Sequence, residues 1–401
     1  MTQMSQMKQM TQMTQMTQMK QMTINSRWLL FIYSTLLSFL LLVPISGQTV
    51  VDVTRYGAVG DGMKDCTKAI NKAIEKCAHK GGGRVEVPAG LFLTSTVFLQ
   101  SGVELHLQEG AVLLASERVE DYISLDPLHD LSRYDSGGGT ANANCSSDLQ
   151  WTKALVMGNG LHDIAITGKG KIDGRHVFNA NGEEQMRGPH TILLAECTNV
   201  RLEDVSISRS ANYAVLCYAI DSAVFRGMHI AEGWDGIHIR GGKNITISQC
   251  KFETGDDAIA GGYWHQMRIS DCDINSSCNG VRIIMPCDGL DIGHCRLHGP
   301  GVYAHRTSGE AKRRNMLFGI SLEPGGWGSA PGDMRSIRLH DLAMDSLSAP
   351  VSISIRKECH AHDLTLENIT ATHVEGAMSP TVCWNDSGFD SIKISNVIVT
   401  R

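Results

Sequence analysis

The sequence lacks the features that identify nucleic-acid-binding and helical-repeat proteins. Its 36 Lys and Arg residues are outnumbered by 42 Asp and Glu residues, and no basic stripe or Arg-rich run is present to neutralise phosphates. Nucleic acid is therefore not expected as a partner. The apolar segments show neither a helical period nor a Leu-x-x-Leu-x-Leu pattern, which argues against helical or leucine-rich repeats.

A short apolar repeat is present instead, of the form apolar-x-apolar-x-x-apolar-x-apolar. Successive copies start 23, 22, 22 and 23 residues apart, and later ones 47, 27 and 28, as loop insertions require. A β-propeller would need longer blades. The pattern predicts an all-β fold, a single-stranded right-handed parallel β-helix in which each coil covers its neighbour's apolar surface. The eight copies lie at 200–207, 223–230, 245–252, 267–274, 290–297, 337–344, 364–371 and 392–399.

Two segments of different character precede the repeat. Residues 1–22 are a low-complexity tract with Met at every third position. Residues 23–47 carry Arg27, an apolar run at 28–43 and then small residues, which is the architecture of a signal peptide. An uncleaved membrane anchor is the alternative, since the run approaches spanning length.

Cleavage of this leader would leave an acidic protein. Residues 1–47 hold Lys8, Lys20, Arg27 and no acid, so losing three positive charges changes the formal net charge from −6 to −9. We expect a secreted or periplasmic protein that has no membrane contact after cleavage. Residues 48–401 are expected to form one β-helix catalytic domain, and a capped β-helix of this kind has no need of a partner subunit.

The segment 51–115 is predicted to cap the solenoid. Asp65 can begin a helix whose apolar residues at 69, 70, 73, 74 and 77 have helical spacing, and the glycines at 81–83 end it. Strands are expected at 84–87, 91–93 and 103–107. A helix over the open end would protect the exposed strand edges. The stretches 135–143 and 300–333 are predicted to be loops.

Three of the twelve cysteines share one position of the repeat. Cys250, Cys272 and Cys295 replace apolar residues there, which favours a ladder of buried thiols. Stacked coils are also close enough for disulfides, so oxidation stays open. Two further pairs are possible, Cys66 with Cys77 and Cys359 with Cys383.

Acidic residues recur at the same interval as the apolar repeat. Asp235 and Asp257 are 22 residues apart, Asn279 follows after 22 more, and Asp256 adjoins Asp257. Equal register in neighbouring coils predicts that the three carboxyls lie together, which would raise at least one pKa and leave another low. Hydrolysis of a glycosidic bond needs that division between an acid and a base. A Ca²⁺ site and ordinary turn aspartates are the alternatives.

Several motifs resemble family 28 of the glycoside hydrolases, the polygalacturonases and rhamnogalacturonases. The resemblance covers 51–401 and includes the segments 56–62, 81–90 and 168–174. Trp234-Asp235-Gly236 and Gly255-Asp256-Asp257 resemble the family's Asn-Thr-Asp and Gly-Asp-Asp motifs. The resemblance implies that Asp256 donates a proton, that Asp235 and Asp257 activate water, that the anomeric carbon is inverted, and that no cofactor is used.

The sequence departs from that family at two places. Asn279 stands where the family has a histidine, and Ile284 stands where a lysine grips the uronate carboxylate. Arg282 can still hold a carboxylate. Asn279, Arg282 and His238 are predicted to bind substrate, an acidic pectic polysaccharide. A Ca²⁺-dependent lyase with Arg282 as base and a non-catalytic carbohydrate-binding β-helix are the alternative functions.

Aromatic residues near the acids can line the cleft or serve packing alone. Tyr303, His305 and Trp327 lie in the long insertion, where they can stack on sugar rings or pack against the solenoid. Trp264 can form a wall of the site or cover the coil's apolar edge.

Overall fold

The computed structural model describes residues 49–135, 144–356, 358–376, 381–384 and 391–401. The Met-rich tract and the predicted signal peptide lie outside the described residues. Within those ranges, no helix combines the length and the apolar character that a membrane crossing requires. Residues Thr49–Arg401 pack as one compact unit.

The described residues form one α-helix, five short 3₁₀ helices and strands β1 to β26. Helix α1 is Thr67–Ala78, and the 3₁₀ helices are Val53–Tyr56, Val119–Asp121, Ser132–Tyr134, Glu183–Gln185 and Arg306–Ala311. The first thirteen strands are β1 Val50–Asp52, β2 Gly83–Val87, β3 Gly90–Thr94, β4 Val97–Phe98, β5 Val103–Leu107, β6 Ala111–Ala115, β7 Ala154–Asn159, β8 His162–Thr167, β9 Lys171–Asp173, β10 His190–Ala195, β11 Thr198–Glu203, β12 Ser206–Ser208 and β13 Val215–Arg226.

The remaining strands follow the same succession. They are β14 His229–Ala231, β15 Ile237–Ser248, β16 Lys251–Thr254, β17 Ile259–Ser270, β18 Asp273–Ser276, β19 Asn279–Ile283, β20 Cys287–Gly293, β21 Arg296–His298, β22 Met316–Leu322, β23 Gly332–Ile355, β24 Cys359–Val374, β25 Thr381–Trp384 and β26 Ile392–Val399. The longest of them are β23 and β24.

Every pairing between these strands is parallel, and each joins one coil to the next. Leu202 pairs with Phe225, Phe225 with Ile247, Ile247 with Ile269, and Ile269 with Ile292, so one position of the repeat forms a continuous column. All five side chains are buried, because each coil covers the apolar surface of its neighbour. The predicted right-handed parallel β-helix is confirmed.

Each coil passes through three parallel sheets in turn. Sheet 1 contains the stack β2, β5, β8, β11; sheet 2 contains β3, β6, β9, β12; and sheet 3 contains β4, β7, β10. Strands β13, β15 and β17 each run from sheet 3 into sheet 1 without a break. The turn from sheet 2 to sheet 3 therefore repeats at one place on the solenoid, and it carries the acidic residues.

The N-terminal cap agrees with its prediction. Asp65 accepts hydrogen bonds from the backbone N–H of Thr67 at 2.9 Å and from its hydroxyl at 2.5 Å, although the N-cap position belongs to Cys66. Helix α1 buries Ile70 and Ile74 against β1, β2 and β5, and so covers the first coil. The predicted strands appear as β2, β3 and β5.

The prediction of an uninterrupted loop over 300–333 is wrong. Strand β22 lies inside that stretch and pairs with β19 on one side and β23 on the other. Its residues Met316, Ile320 and Leu322 are fully buried, so the segment belongs to sheet 3. Of the other predicted loop, residues 136–143 lie outside the described residues.

The thiol ladder is confirmed. Cys250, Cys272 and Cys295 are buried free thiols, and each donates to the carbonyl two residues before it, at 3.2–3.3 Å. Cys66 and Cys77 are also free and buried, so that possible pair is not bridged. Cys359 is a free thiol, and the side chain of Cys383 lies outside the described residues.

Because the described cysteines hold the fold by packing, reductant should leave its thermal stability unchanged. We expect the same melting temperature with and without dithiothreitol, measured by circular dichroism. A lower melting temperature in reductant would show that a covalent crosslink contributes to stability.

Candidate functional site

Three acidic side chains meet at the turn between sheets 2 and 3. Backbone hydrogen bonds join this turn from coil to coil: Gly236 N–H donates to Asp257 O at 2.9 Å, and Ala258 N–H donates to Asn279 O at 3.0 Å. This register places one carboxyl oxygen from each of Asp235, Asp256 and Asp257 within 4.8 Å of the other two. The predicted convergence of the carboxyls is therefore present.

Asp235 is oriented by a buried histidine. Its Oδ2 lies 2.7 Å from Nδ1 of His238, whose Nε2 accepts a hydrogen bond from Nε of Arg240 at 3.1 Å. The His238 ring also stacks on Tyr213, with ring centroids 4.6 Å apart. Burial, followed by the charge of Arg240, lowers the pKa of His238 well below its usual value, so the ring is neutral and donates through Nδ1.

The ring of His238 has protein partners on both nitrogens, Asp235 on Nδ1 and Arg240 on Nε2. His238 therefore orients Asp235. It also lines the cavity, so its contact with substrate stays a prediction.

Asp257 is held by the two other predicted substrate-binding residues. Its Oδ1 accepts hydrogen bonds from the backbone N–H of Asn279 at 3.1 Å and from Nδ2 of Asn279 at 2.7 Å. Its Oδ2 lies 3.5 Å from Nη1 of Arg282. The same arginine pairs with Glu323 through Nε, and its Cζ lies 5.0 Å from the ring centroid of Trp327. Asn279 and Arg282 therefore contact the acidic group first, and Arg282 also faces the cavity.

Asp256 is the most accessible of the three carboxyls. Its side chain is 13% exposed, whereas the side chains of Asp235 and Asp257 are each 5% exposed. Its Oδ2 lies 3.4 Å from Nε2 of His305 and 3.8 Å from Nη2 of Arg187. Both basic residues come from loops outside the repeat.

Arg187 was not found by sequence reasoning. Its guanidinium lies 3.7 Å from the ring centroid of Trp234, and its Nε contacts Glu184 at 2.9 Å and Glu183 at 3.4 Å. Arg187 precedes Asp256 by 69 positions and belongs to no repeat, so the sequence contains no signal for the contact. His305 was expected to stack on sugar rings or to pack against the solenoid, and its contact with Asp256 was also missed.

The acids open into a solvent-accessible cavity of about 270 Å³. Its other walls include Glu183, Arg187, His305, Arg313 and Trp327. The insertions at 180–188 and 300–330 therefore close a groove that the bare solenoid would leave open.

The predictions for Trp264 and Tyr303 have different outcomes. Trp264 is 2% exposed and donates from Nε1 to Ile239 O at 2.8 Å, so it covers the coil's apolar edge and is not a wall of the cavity. Tyr303 accepts a hydrogen bond from Ser277 through its backbone carbonyl, which anchors the insertion to the solenoid.

Comparisons with known proteins agree with this fold. A family model described as a right-handed β-helix region matches residues 190–317. An exo-poly-alpha-D-galacturonosidase of Dickeya chrysanthemi is 27% identical over 257 residues, which cover 52% of this chain and 41% of that protein. The structure of the family 28 exopolygalacturonase of Yersinia enterocolitica superposes with a TM-score of 0.61 at 17% identity, covering 87% of this chain and 71% of that one.

The chain therefore matches a right-handed β-helix family model over part of its length and is similar in sequence to polygalacturonases. The same fold also occurs in PfbA, a surface adhesin of Streptococcus pneumoniae, with a TM-score of 0.53 at 16% identity over 86% of this chain and 93% of that one. The chain spans less than half the length of the Dickeya relative that it matches.

The two departures from family 28 have structural consequences in this β-helix. Asn279 occupies the coil after Asp257 in equal register, and its Oδ1 is buried without a hydrogen-bond partner among the described residues. Ile284 is 5% exposed and lines the cavity, so an apolar surface stands where the family has a lysine.

The three acids of this cavity have different proton affinities. Burial, and then the charges of Asp256 and Asp257, raise the pKa of Asp235 well above its usual value. Burial also raises the pKa of Asp257, against the opposing effect of Arg282. Burial acts on Asp256 in the same direction, but the contacts with His305, Arg187 and Arg282 outweigh it and lower its pKa to about 2. The crowding therefore produces the predicted division between a protonated and an ionised carboxyl.

Several carboxyl oxygens of the three acids already have protein partners. Asp235 and Asp257 use oxygens for His238, Asn279 and Arg282, so few carboxyl oxygens remain for Ca²⁺, which takes six to eight oxygen ligands.

The opposite pKa shifts predict opposite effects of two matched substitutions on stability. A carboxyl whose pKa is raised on folding destabilises the protein above its unfolded pKa of about 3.9, so Asp235→Asn should raise the melting temperature at pH 7 and not at pH 4. A carboxylate whose pKa is lowered stabilises the protein above that value and loses its contribution as the pH falls towards about 2. Asp256→Asn should therefore lower the melting temperature at pH 7.

Each change should be about 2 °C or more in thermal unfolding followed by circular dichroism. Shifts of the same sign for both variants at pH 7 would contradict the proposed ionisation states.

Proposed function

We propose that the chain is an exported glycoside hydrolase that cleaves an acidic, pectic-type polysaccharide by single displacement. The observation that carries this proposal is the convergence of Asp235, Asp256 and Asp257 on one cavity in unequal charge environments. Hydrolysis of a glycosidic bond requires a proton for the leaving oxygen and a carboxylate for the attacking water.

The roles of the three acids are assigned from their accessibility and from the resemblance to glycoside hydrolase family 28. Asp256 is the most exposed acid and matches the family's proton donor, while Asp235 and Asp257 are held deeper by His238, Asn279 and Arg282 and position the water. In the free protein the proton resides on the deeper acids, because His305 and Arg187 keep Asp256 ionised. Acids this close titrate as one unit, so a bound substrate that separates Asp256 from His305 shifts the proton towards Asp256.

Positive groups in the cavity support an acidic substrate. Arg187, Arg240, Arg282 and Arg313 all line it. Among the described residues, Arg187 and Arg282 form ion pairs with acids, whereas Arg313 forms none and its guanidinium can hold a sugar carboxylate. The Dickeya relative is named for cleavage of polygalacturonate, which agrees with this charge.

The lyase alternative is weakened by the state of its proposed base. Burial alone would lower the pKa of Arg282, but the charges of Asp257 and Glu323 outweigh it and raise the pKa, so the guanidinium keeps its proton. A group held in that state cannot remove the proton next to a uronate carboxylate.

A non-catalytic carbohydrate-binding role is the second candidate function. Asn279 in place of a histidine favours it, as does the adhesin that shares the fold. The two candidates differ in whether Asp256 matters for turnover.

Export rests on the leader at 23–47, and the mature β-helix is proposed to act as a monomer in the secreted or periplasmic space. Its partner there is the polysaccharide substrate.

Loss of the proton donor should abolish most hydrolysis. Asp256→Asn should reduce kcat on pectic fragments by about 10² to 10⁴, since a positioned general acid contributes that much. Asp273→Asn, which changes a half-exposed acid on β18, is the matched control and should keep normal turnover. Full activity of Asp256→Asn in a reducing-end assay would remove the assignment.

A substrate with an activated aryl leaving group separates the roles of the acids. Such a substrate needs little protonation, so activity should return for Asp256→Asn and stay low for Asp235→Asn. Recovery in Asp235→Asn alone would make Asp235 the donor.

The products distinguish hydrolysis from elimination and inversion from retention. We expect no ultraviolet absorbance from an unsaturated product, no loss of activity in chelator, and release of the inverted anomer in a proton NMR time course. The carboxyl oxygens lie closer than the roughly 6.5–9.5 Å typical of inverting enzymes, so the anomer is a direct test of the single-displacement mechanism. A retained anomer would replace it with a covalent intermediate.

A further inference from the structure

Asp256 also belongs to a second trio of side chains in the cavity, which includes a cysteine that the hydrolysis mechanism does not use. One ligand atom from each of Asp256, Cys278 and His305 lies within 4.8 Å of the other two. Cys278 comes from the turn before β19, and His305 comes from the insertion that follows β21. The trio therefore offers sulfur, nitrogen and oxygen donors at the mouth of one cavity.

This donor set suits a borderline-soft cation. Thiolate, imidazole and carboxylate are the ligands of Zn²⁺, whereas Ca²⁺ and Mg²⁺ prefer oxygen alone. Two Zn²⁺ ligands at about 2.0–2.1 Å in a tetrahedron are separated by about 3.4 Å. Oδ2 of Asp256 and Nε2 of His305 are 3.4 Å apart, so these two ligands already have the spacing of a tetrahedral site.

The ring of His305 is held in place by its neighbours. The other ring nitrogen, Nδ1, is buried and has no hydrogen-bond partner among the described residues. The ring packs edge-on against Trp234, with centroids 6.5 Å apart, and the backbone N–H of His305 donates to Arg313 O at 2.8 Å. The ring therefore presents Nε2 to Asp256, while Nδ1 is left without a protein partner among the described residues.

We propose that this cavity binds Zn²⁺, or a similar thiophilic divalent cation, through Asp256, Cys278 and His305. Binding displaces the Cys278 thiol proton to solvent and leaves a thiolate and a carboxylate to balance the two charges of the metal. Water fills the fourth position. Because Asp256 becomes a ligand, it can no longer act on a glycosidic oxygen, so the cation is an inhibitor of the site.

The inhibition rests on the proposed hydrolase function, but the binding does not. A cobalt titration therefore tests the site by itself. Co²⁺ added to the full-length protein should produce the near-ultraviolet charge-transfer band of a cobalt–thiolate bond, and Zn²⁺ should displace it.

Two ligand variants and two controls make the assignment specific. Cys278→Ser should lose the band and weaken Zn²⁺ binding at least about tenfold in competition with a chromophoric chelator, and His305→Gln should weaken it similarly. Cys145→Ser changes a half-exposed cysteine outside the trio, and His294→Gln changes a second group that joins His340 and Asp341. Both controls should keep the band and the affinity.

Unfolding curves without metal show whether each variant is folded, and His305→Gln carries the test if Cys278→Ser does not fold. An unchanged band or affinity in a folded Cys278→Ser or His305→Gln variant would overturn the site, as would the absence of a band in the unaltered protein.

The activity assay then distinguishes the two proposals. If the protein hydrolyses pectic fragments, Zn²⁺ should inhibit it and chelator should restore it, and full activity with Zn²⁺ bound would overturn the inhibition. If the protein hydrolyses nothing while the cobalt band appears, the proposed function fails and the metal site stands.

Discussion

The parallel register between coils is the constraint on which the rest of the structure depends. Backbone hydrogen bonds and stacked apolar side chains hold each strand opposite the same position of the next coil, as in the column from Leu202 to Ile292. A shift of one residue would turn every buried side chain outward, so the register is strongly specified. The turn between sheets 2 and 3 inherits that register, and it holds Asp235, Asp257 and Asn279 in line.

Because the register brings three carboxyls together, it raises the electrostatic free energy of the acidic site. Three carboxyls within 4.8 Å of one another are largely removed from water, so the protein must protonate some and pair the others. Asp235 receives a hydrogen bond from neutral His238, Asp257 lies beside Arg282, and Asp256 lies between His305 and Arg187. These unlike partners produce unlike proton affinities from three chemically identical side chains, which is the property that acid–base chemistry needs.

The site has two kinds of parts with different structural origins. The regular coils contribute the acids, Asn279 and Arg282, whose positions follow from the repeat. The insertions contribute Arg187, His305 and Trp327, which close the cavity and surround Asp256. Cys278 lies where these parts meet, beside Asp256 on the solenoid and His305 on the insertion. The positions of the acids therefore depend on the coils, while the closure of the cavity depends on the insertions.

The sequence by itself determined the β-helix, its capping helix, the thiol ladder and the convergence of the three acids. These features follow from local periods of 2 and about 22 residues, and such periods can be recognised in the amino-acid sequence alone. Strand β22 was missed because it follows an insertion that breaks the period.

Only the tertiary structure decided that His238 orients Asp235, that Trp264 is buried, and that Arg187 and His305 reach Asp256. The contacts of Arg187 and His305 join a coil to irregular loops, and the length of a loop does not predict which coil residue it will contact. The order of the pKa values also required the fold, because the electrostatic effect on a carboxyl depends on burial and on distances of 3 to 4 Å across the chain.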